Sequence, residues 1–205
     1  MRILVTAFEP YDHWTQNSSW DCLVELLRSR GATPGVTTRR YPVDLGLMRE
    51  RLYQDLSRGI DAVLHLGQAP GIGQIHLEAI ALNVAGITRS QGEEFGPLVY
   101  DGPVAYRTEF PVGMWATDLK QSGIPAAVSY HAGTYLCNAI MYLSHHWFEE
   151  RGIDARVGFI HLPLSDDQVA ASGRMHPSLS LPTMSKAIGL ILDRVRGVQR
   201  EFDFA

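Results

Sequence analysis

Three stretches of this chain are apolar with little or no alternation: RILVTAF (2–8), DAVLHLG (61–67) and ARVGFIHL (155–162). A strand that is apolar on both faces must be covered on both faces, which is the situation of a strand inside a parallel sheet flanked by helices. The segments between them have helical spacing. Leu23, Leu26 and Leu27 repeat along 20–30, a helix that Ser18 or Ser19 would cap and Gly31 would stop. Further helices are expected near 45–58, ended by Gly59, near 115–122, from Cys137 to about Arg151, and over 182–197. Additional strands are expected at 35–43, 75–84 and 126–130. Strands alternating with helices imply a three-layer α/β/α sandwich with a mostly parallel twisted sheet. The 205 residues, 45% of them hydrophobic, suit one core and one domain spanning 1–205. The region 86–112, rich in Gly and Pro, is longer than most loops, and such loops are usually functional or carry a small hairpin.

Several function classes fall away. The formal charge is −4 and no Lys/Arg stripe is visible, so no nucleic-acid partner is expected. No apolar run approaches the ~18 residues of a membrane helix, and Met1-Arg2 leads straight into a strand, so neither a membrane span nor a signal peptide is expected. The two cysteines, Cys22 and Cys137, lie 115 positions apart and make no disulfide framework, which favours the reducing cytoplasm and a free thiol. There is no Cys-x-x-Cys pair to suggest zinc and no P-loop, and neither a metal nor an organic cofactor is expected.

Three residues could carry chemistry. With Thr134 as N-cap, Cys137 falls at the third position of a helix, where free N–H groups and the helix dipole favour a thiolate and could hold an oxyanion. It could equally be a buried small hydrophobe. His161 ends an apolar strand, and strand ends are where ligands bind in parallel sheets. The strands 126–130 and 155–162 would deliver Cys137 and His161 to one edge, although a hydrogen-bonded edge histidine reads the same way. Glu78 interrupts an extended stretch, with Ile75 and Leu77 on one face and His76 and Glu78 on the other. A carboxylate there needs a partner, such as an imidazole it would orient, unless the strand is an exposed edge.

Four segments resemble the pyrrolidone-carboxylate peptidases, or pyroglutamyl-peptidase I, a cysteine peptidase family. They are ILVTAFEPYDHWTQNSSW, HLGQAPGIGQIHLEAIALN, SYHAGTYLCNAIMY and VGFIHLP, within a resemblance that extends over about residues 2–168. The third resembles the family's Ala-Gly-Thr-Phe/Tyr-x-Cys-Asn segment, and the fourth its Gly-Phe-Ile-His-x-Pro segment. Position by position, the resemblance implies Cys137 as nucleophile, His161 as general base and acid, and Glu78 as orienting carboxylate. It implies Phe8 and Tyr11 as aromatic walls of a lactam pocket, with Asn17 and Gln68 as polar groups near the substrate. The implied activity is hydrolysis of the amide bond after an N-terminal pyroglutamyl residue, through an acyl-enzyme. The implied partners are peptide substrates and copies of the chain in a homodimer or homotetramer. Trp14 and Trp115 are candidates for exposed aromatics at an interface or pocket rim. The chain departs from the family at Ala7, Tyr11, Asp12-His13, Ser18, Pro70, Ile72 and Ala79, and Arg89 falls one position from the expected arginine. These departures leave open a second reading, a non-catalytic protein that binds pyroglutamyl peptides or a small lactam.

Overall fold

The structure is a computed structural model and describes residues 1–86 and 96–197. In chain order its elements are β1 (Ile3–Phe8), α1 (Ser18–Arg30), β2 (Val36–Tyr41), α2 (Leu45–Leu56), β3 (Ala62–Gln68), β4 (Ile75–Glu78), β5 (Ile80–Leu82), β6 (Ala105–Arg107), α3 (Val112–Gln121), β7 (Ala126–Ser129), α4 (Leu136–Glu149), β8 (Arg156–Leu162), β9 (Leu164–Ser165), α5 (Asp166–Ser172), β10 (Ser178–Leu179) and α6 (Leu181–Val195). Six strands form the central sheet in the order β2-β1-β3-β8-β4-β7. Side-chain alternation divides the core in two. Val5, Leu64, Leu77 and Ile160 meet α1, α3 and α6 on one face. Leu4, Val63, Val157 and Phe159 meet α2 and α4 on the other. The expected three-layer α/β architecture is present.

The sheet is not uniformly parallel. β1, β2, β3 and β8 run one way. β4 is antiparallel to β8, and β7 is parallel to β4, so the last two strands run the other way. The strand expected over 75–84 is two strands that part at Ala79. β4 stays in the central sheet, and β5 pairs with β6 in a separate two-stranded ribbon. Only β6 of that ribbon lies within 86–112, since its partner β5 precedes the region, so the ribbon is not a hairpin contained in that loop; Arg89 lies outside the described residues.

Local chemistry moves some boundaries. The cap of α1 is Asn17 rather than a serine, because its carboxamide oxygen accepts from the Ser19 N–H at 3.0 Å and the Ser19 hydroxyl at 2.7 Å. Neither tryptophan is exposed: Trp14 is 9% and Trp115 3% accessible, the latter against Phe110 in the core. Indoles of that size gain more from burial than from a rim position. No helix among the described residues is long and apolar enough to cross a membrane.

Candidate active site

α4 begins one residue later than expected. Tyr135 is its extended N-cap and Cys137 is the second helical residue, not the third. The Thr134 carbonyl is used elsewhere, accepting from the Gly86 N–H at 2.7 Å. No side chain caps this helix, so its first-turn N–H groups still point outward at the half-buried Cys137. The next residue, Asn138, is fully buried and fixes the helix start. Its carboxamide accepts from the Leu82 N–H at 2.7 Å and donates to the Leu82 and Val84 carbonyls at 2.9 and 3.1 Å.

His161 and Cys137 do reach one edge, but by another route. β7 runs opposite to β8, so its C-terminus points away from the His161 end of the sheet. The segment 130–135 carries the chain back to the ends of β3 and β8. There Gly67 lies in register with His161, and a Cβ built on Gly67 would stand 3.0 Å from the Cys137 sulfur and 2.6 Å from the Phe159 ring. The thiol thus rests on bare backbone. Periodicity alone does not reveal this role of Gly67.

Glu78 stands one row deeper, in register with Phe159, and reaches up to His161. Its Oε1 lies 2.7 Å from His161 Nδ1, with Glu78 1% and the His161 side chain 12% accessible. The exposed-edge reading of Glu78 therefore fails, since β4 lies between β8 and β7. Burial works most strongly against the charge on Glu78. It is outweighed by the His161 bond and charge, the Ser129 hydroxyl and the charge of His76, which together hold the carboxyl below its ordinary range. On His161, burial likewise opposes protonation. The charge and hydrogen bond of Cys137 and the bond and charge of Glu78 overcome it and raise the imidazole to about 9. With Nδ1 taken by Glu78, the other ring nitrogen is the one left for sulfur.

A recess of about 80 Å³ adjoins the thiol, lined by Phe8, Tyr11, Asn17, Val43, Gln68, Tyr135, Leu136 and Cys137. All four pocket residues named from the sequence meet here. Much of their polarity is spent on the fold. Asn17 caps α1 and donates to the Glu9 carbonyl at 2.9 Å. The Tyr11 hydroxyl finds its partner in the Gln68 carbonyl at 3.3 Å. Gln68 Oε1 accepts from the Ser18 N–H and from Gln168 Nε2, both at 2.8 Å, while Gln68 Nε2 is buried without a partner. Val43, Tyr135 and Leu136 were not singled out from the sequence, because an apolar pocket wall reads like core. Trp14 lines a different recess, with His13 and Arg174. Cys22 is fully buried, and burial, with the Asp21 and Glu25 charges, drives its thiol far up. Among the described residues no group of three or more His, Cys, Asp or Glu is placed to hold a metal ion.

A half-buried thiol at a helix start, an imidazole raised beside it and a buried carboxylate behind the ring, set on a three-layer α/β sheet, define a protein of the cysteine-hydrolase class. The family profile described as pyroglutamyl peptidase matches residues 1–195. The chain is 35% identical over 196 residues to the pyrrolidone-carboxylate peptidase of Brevibacillus brevis, covering 93% of this chain and 91% of that one. It is 36% identical over 200 residues to the same-named protein of Thermococcus kodakarensis, covering 95% and 96%. The crystal structure of the pyrrolidone carboxyl peptidase of Fervidobacterium islandicum superposes with a TM-score of 0.87 at 33% identity, covering 96% of this chain and 99% of that chain. That of Thermococcus litoralis gives 0.84 at 29% identity, covering 100% and 99%. The chain belongs to the pyroglutamyl peptidase family, and with it to the cysteine peptidases.

Proposed function

We propose that this chain hydrolyses the amide bond following an N-terminal pyroglutamyl residue of peptides, with Cys137 as nucleophile, His161 as general base and acid, and Glu78 as the group that orients His161. The observation that carries the reading is the His161 ring, bonded to Glu78 at 2.7 Å on one side and coupled to Cys137 on the other, beside a small uncharged recess. Recognition of a free N-terminal ammonium calls for a carboxylate. None of the eight residues lining the recess carries one. A five-membered lactam has no ammonium, and 80 Å³ is far below the ~300–1,000 Å³ of a drug-sized site. Phe8 and Tyr11 supply flat walls, and the partnerless Gln68 Nε2 is a donor that an incoming lactam carbonyl would satisfy.

In this reading the Cys137 sulfur attacks the carbonyl joining the lactam residue to the next. The resulting oxyanion is held by the first-turn N–H groups of α4. The C–N bond breaks as the His161 imidazolium gives its proton to the leaving amine. His161, now neutral, takes a proton from water, and the hydroxide displaces sulfur from the thioester.

A fluorescent pyroglutamyl amide tests this. The protein should release the fluorophore, and the corresponding prolyl amide, which lacks the ring carbonyl, should be rejected by about 10⁴-fold. Cys137→Ala should lower turnover by at least about 10³-fold. Unchanged turnover in that variant, or no turnover by the unaltered protein, would remove the proposal.

A further inference from the structure

Glu78 has two carboxylate oxygens, and only one is explained by His161. Oε2 is buried and has no partner within strict hydrogen-bond geometry. A buried carboxylate oxygen left so is costly, and it leaves the plane of the carboxylate free to turn about its last torsion. The groups facing Glu78 can be enumerated by element. β8 presents His161 and, in register, Phe159. Its own strand presents His76, two residues away on the same face. β7 presents Ser129, the register partner of Glu78. Cys137 lies beyond His161, and α3 packs with Ile75 and Leu77 on the opposite face of β4. Of these, Ser129 is the neutral donor directly across from the carboxylate. Its backbone is already tied to the site, since the Ser129 carbonyl accepts the Ala79 N–H at 2.7 Å. Its oxygen also accepts the His131 N–H at 3.4 Å, at the start of the segment leading to Cys137. With that oxygen used as acceptor, its own proton remains to be given.

We propose that Ser129 is a positioning residue for the reaction: its hydroxyl donates to the second oxygen of Glu78, fixes the carboxylate plane under His161, and ties the acid to the 130–135 segment that carries the nucleophile. The assignment rests on the proposed roles of Cys137, His161 and Glu78. It agrees with the contribution of the Ser129 hydroxyl to holding the Glu78 carboxyl low. Hydrogen bonds of this kind are often long in an unliganded site and tighten when substrate binds. Removing the donor makes Glu78 easier to protonate, so the acid side of the pH profile should move to higher pH.

The test compares Ser129→Ala and Ser129→Thr with the unaltered chain. Two readouts are followed against pH: kcat and KM on a pyroglutamyl amide, and the rate of Cys137 alkylation by iodoacetamide. Ser129→Ala should lower kcat about tenfold with KM unchanged, and should shift the acid limb of both profiles upward. Ser129→Thr, which keeps the hydroxyl and suits a strand, should restore both. The inference is overturned if the alanine variant keeps the original kcat and acid limb. It is also overturned if alanine and threonine variants lose rate and melting temperature together, which marks a packing effect. Alkylation needs no substrate, so the two claims separate. A chain inert toward pyroglutamyl amides whose alkylation profile still shifts in Ser129→Ala would sink the proposed activity and support the role of Ser129.

Discussion

Adding one methyl group at Gly67 should silence the site while leaving the fold standing. The Cβ of Gly67→Ala would lie 2.6 Å from Phe159 Cζ, 3.0 Å from another atom of that ring and 3.0 Å from the Cys137 sulfur. Comfortable contact between such atoms is about 3.5–4.0 Å, so something must yield by about 0.5–1 Å. Phe159 is 1% accessible and closed in by the core, so the half-buried thiol takes most of the displacement. Misplacing a reacting atom by about 1 Å can cost about 10²-fold, so kcat on a pyroglutamyl amide should fall about 10- to 100-fold, or about 1.4–2.7 kcal/mol. Overpacking also costs about 1–3 kcal/mol of stability, roughly 2–4 °C in Tm per kcal/mol for a chain this size. Gly158→Ala is the control. Its Cβ would lie 2.8 Å from Phe110 Cδ2 and 3.3 Å from Leu64 Cδ2, in the core on the other face of the sheet and away from the sulfur. That variant should lose comparable stability and keep its kcat at temperatures where it is folded. A Gly67→Ala protein with unaltered kcat, or a Gly158→Ala protein equally slowed, would refute the placement of the thiol against β3.

Two further outcomes concern stability. Asn17→Ala should lower the unfolding free energy in urea by about 0.5–2 kcal/mol through loss of the α1 cap, whereas Asn17→Asp, which keeps an acceptor for Ser19, should lose less. His65 is buried between Thr6 and Ser144, and burial, with the nearby His145, pushes it down to about 3; burial alone pushes His145 down to about 4. Below the ordinary 6.5 the unfolded chain takes up these protons and the folded chain does not, so Tm should fall as pH drops from about 6.5 towards 4. His161 acts in the opposite sense: its contribution is whole below 6.5 and fades as pH rises through about 9. A Tm that does not change across either window would contradict these assignments.

The strands most legible in the sequence are those whose burial is written residue by residue. β1 and β3 are buried at every position, and their largely apolar runs admit few other readings. The thiol, imidazole and carboxylate each admit a plain structural reading in the sequence, and only their joint placement near strand ends and the family resemblance set them apart. Direction was not visible: four residues such as IHLE or AAVS alternate identically whichever way the strand runs, and the reversal of β4 and β7 is decided by their partners. The break at Ala79 was hidden for the same reason, since both halves are extended and only their ladders differ. The α1 cap lies one or two residues before the serines expected to supply it because Asn17, Ser18 and Ser19 are all competent caps, and only the bonds from Ser19 to the Asn17 oxygen single out the first. The short α5, with its Ser165–Gln168 capping box, and the two-residue strands β9 and β10 are too brief for any period to register.

The seam between β8 and β4 bears on how the molecule matures. Acid and base belong to halves of the sheet with opposite chain sense, 83 residues apart, and they meet only when that junction zips shut. With that junction open, the His161 ring would lack the Glu78 bond that holds it, whatever the state of α4. On the proposed roles of His161 and Glu78, cutting a peptide requires that junction to be closed.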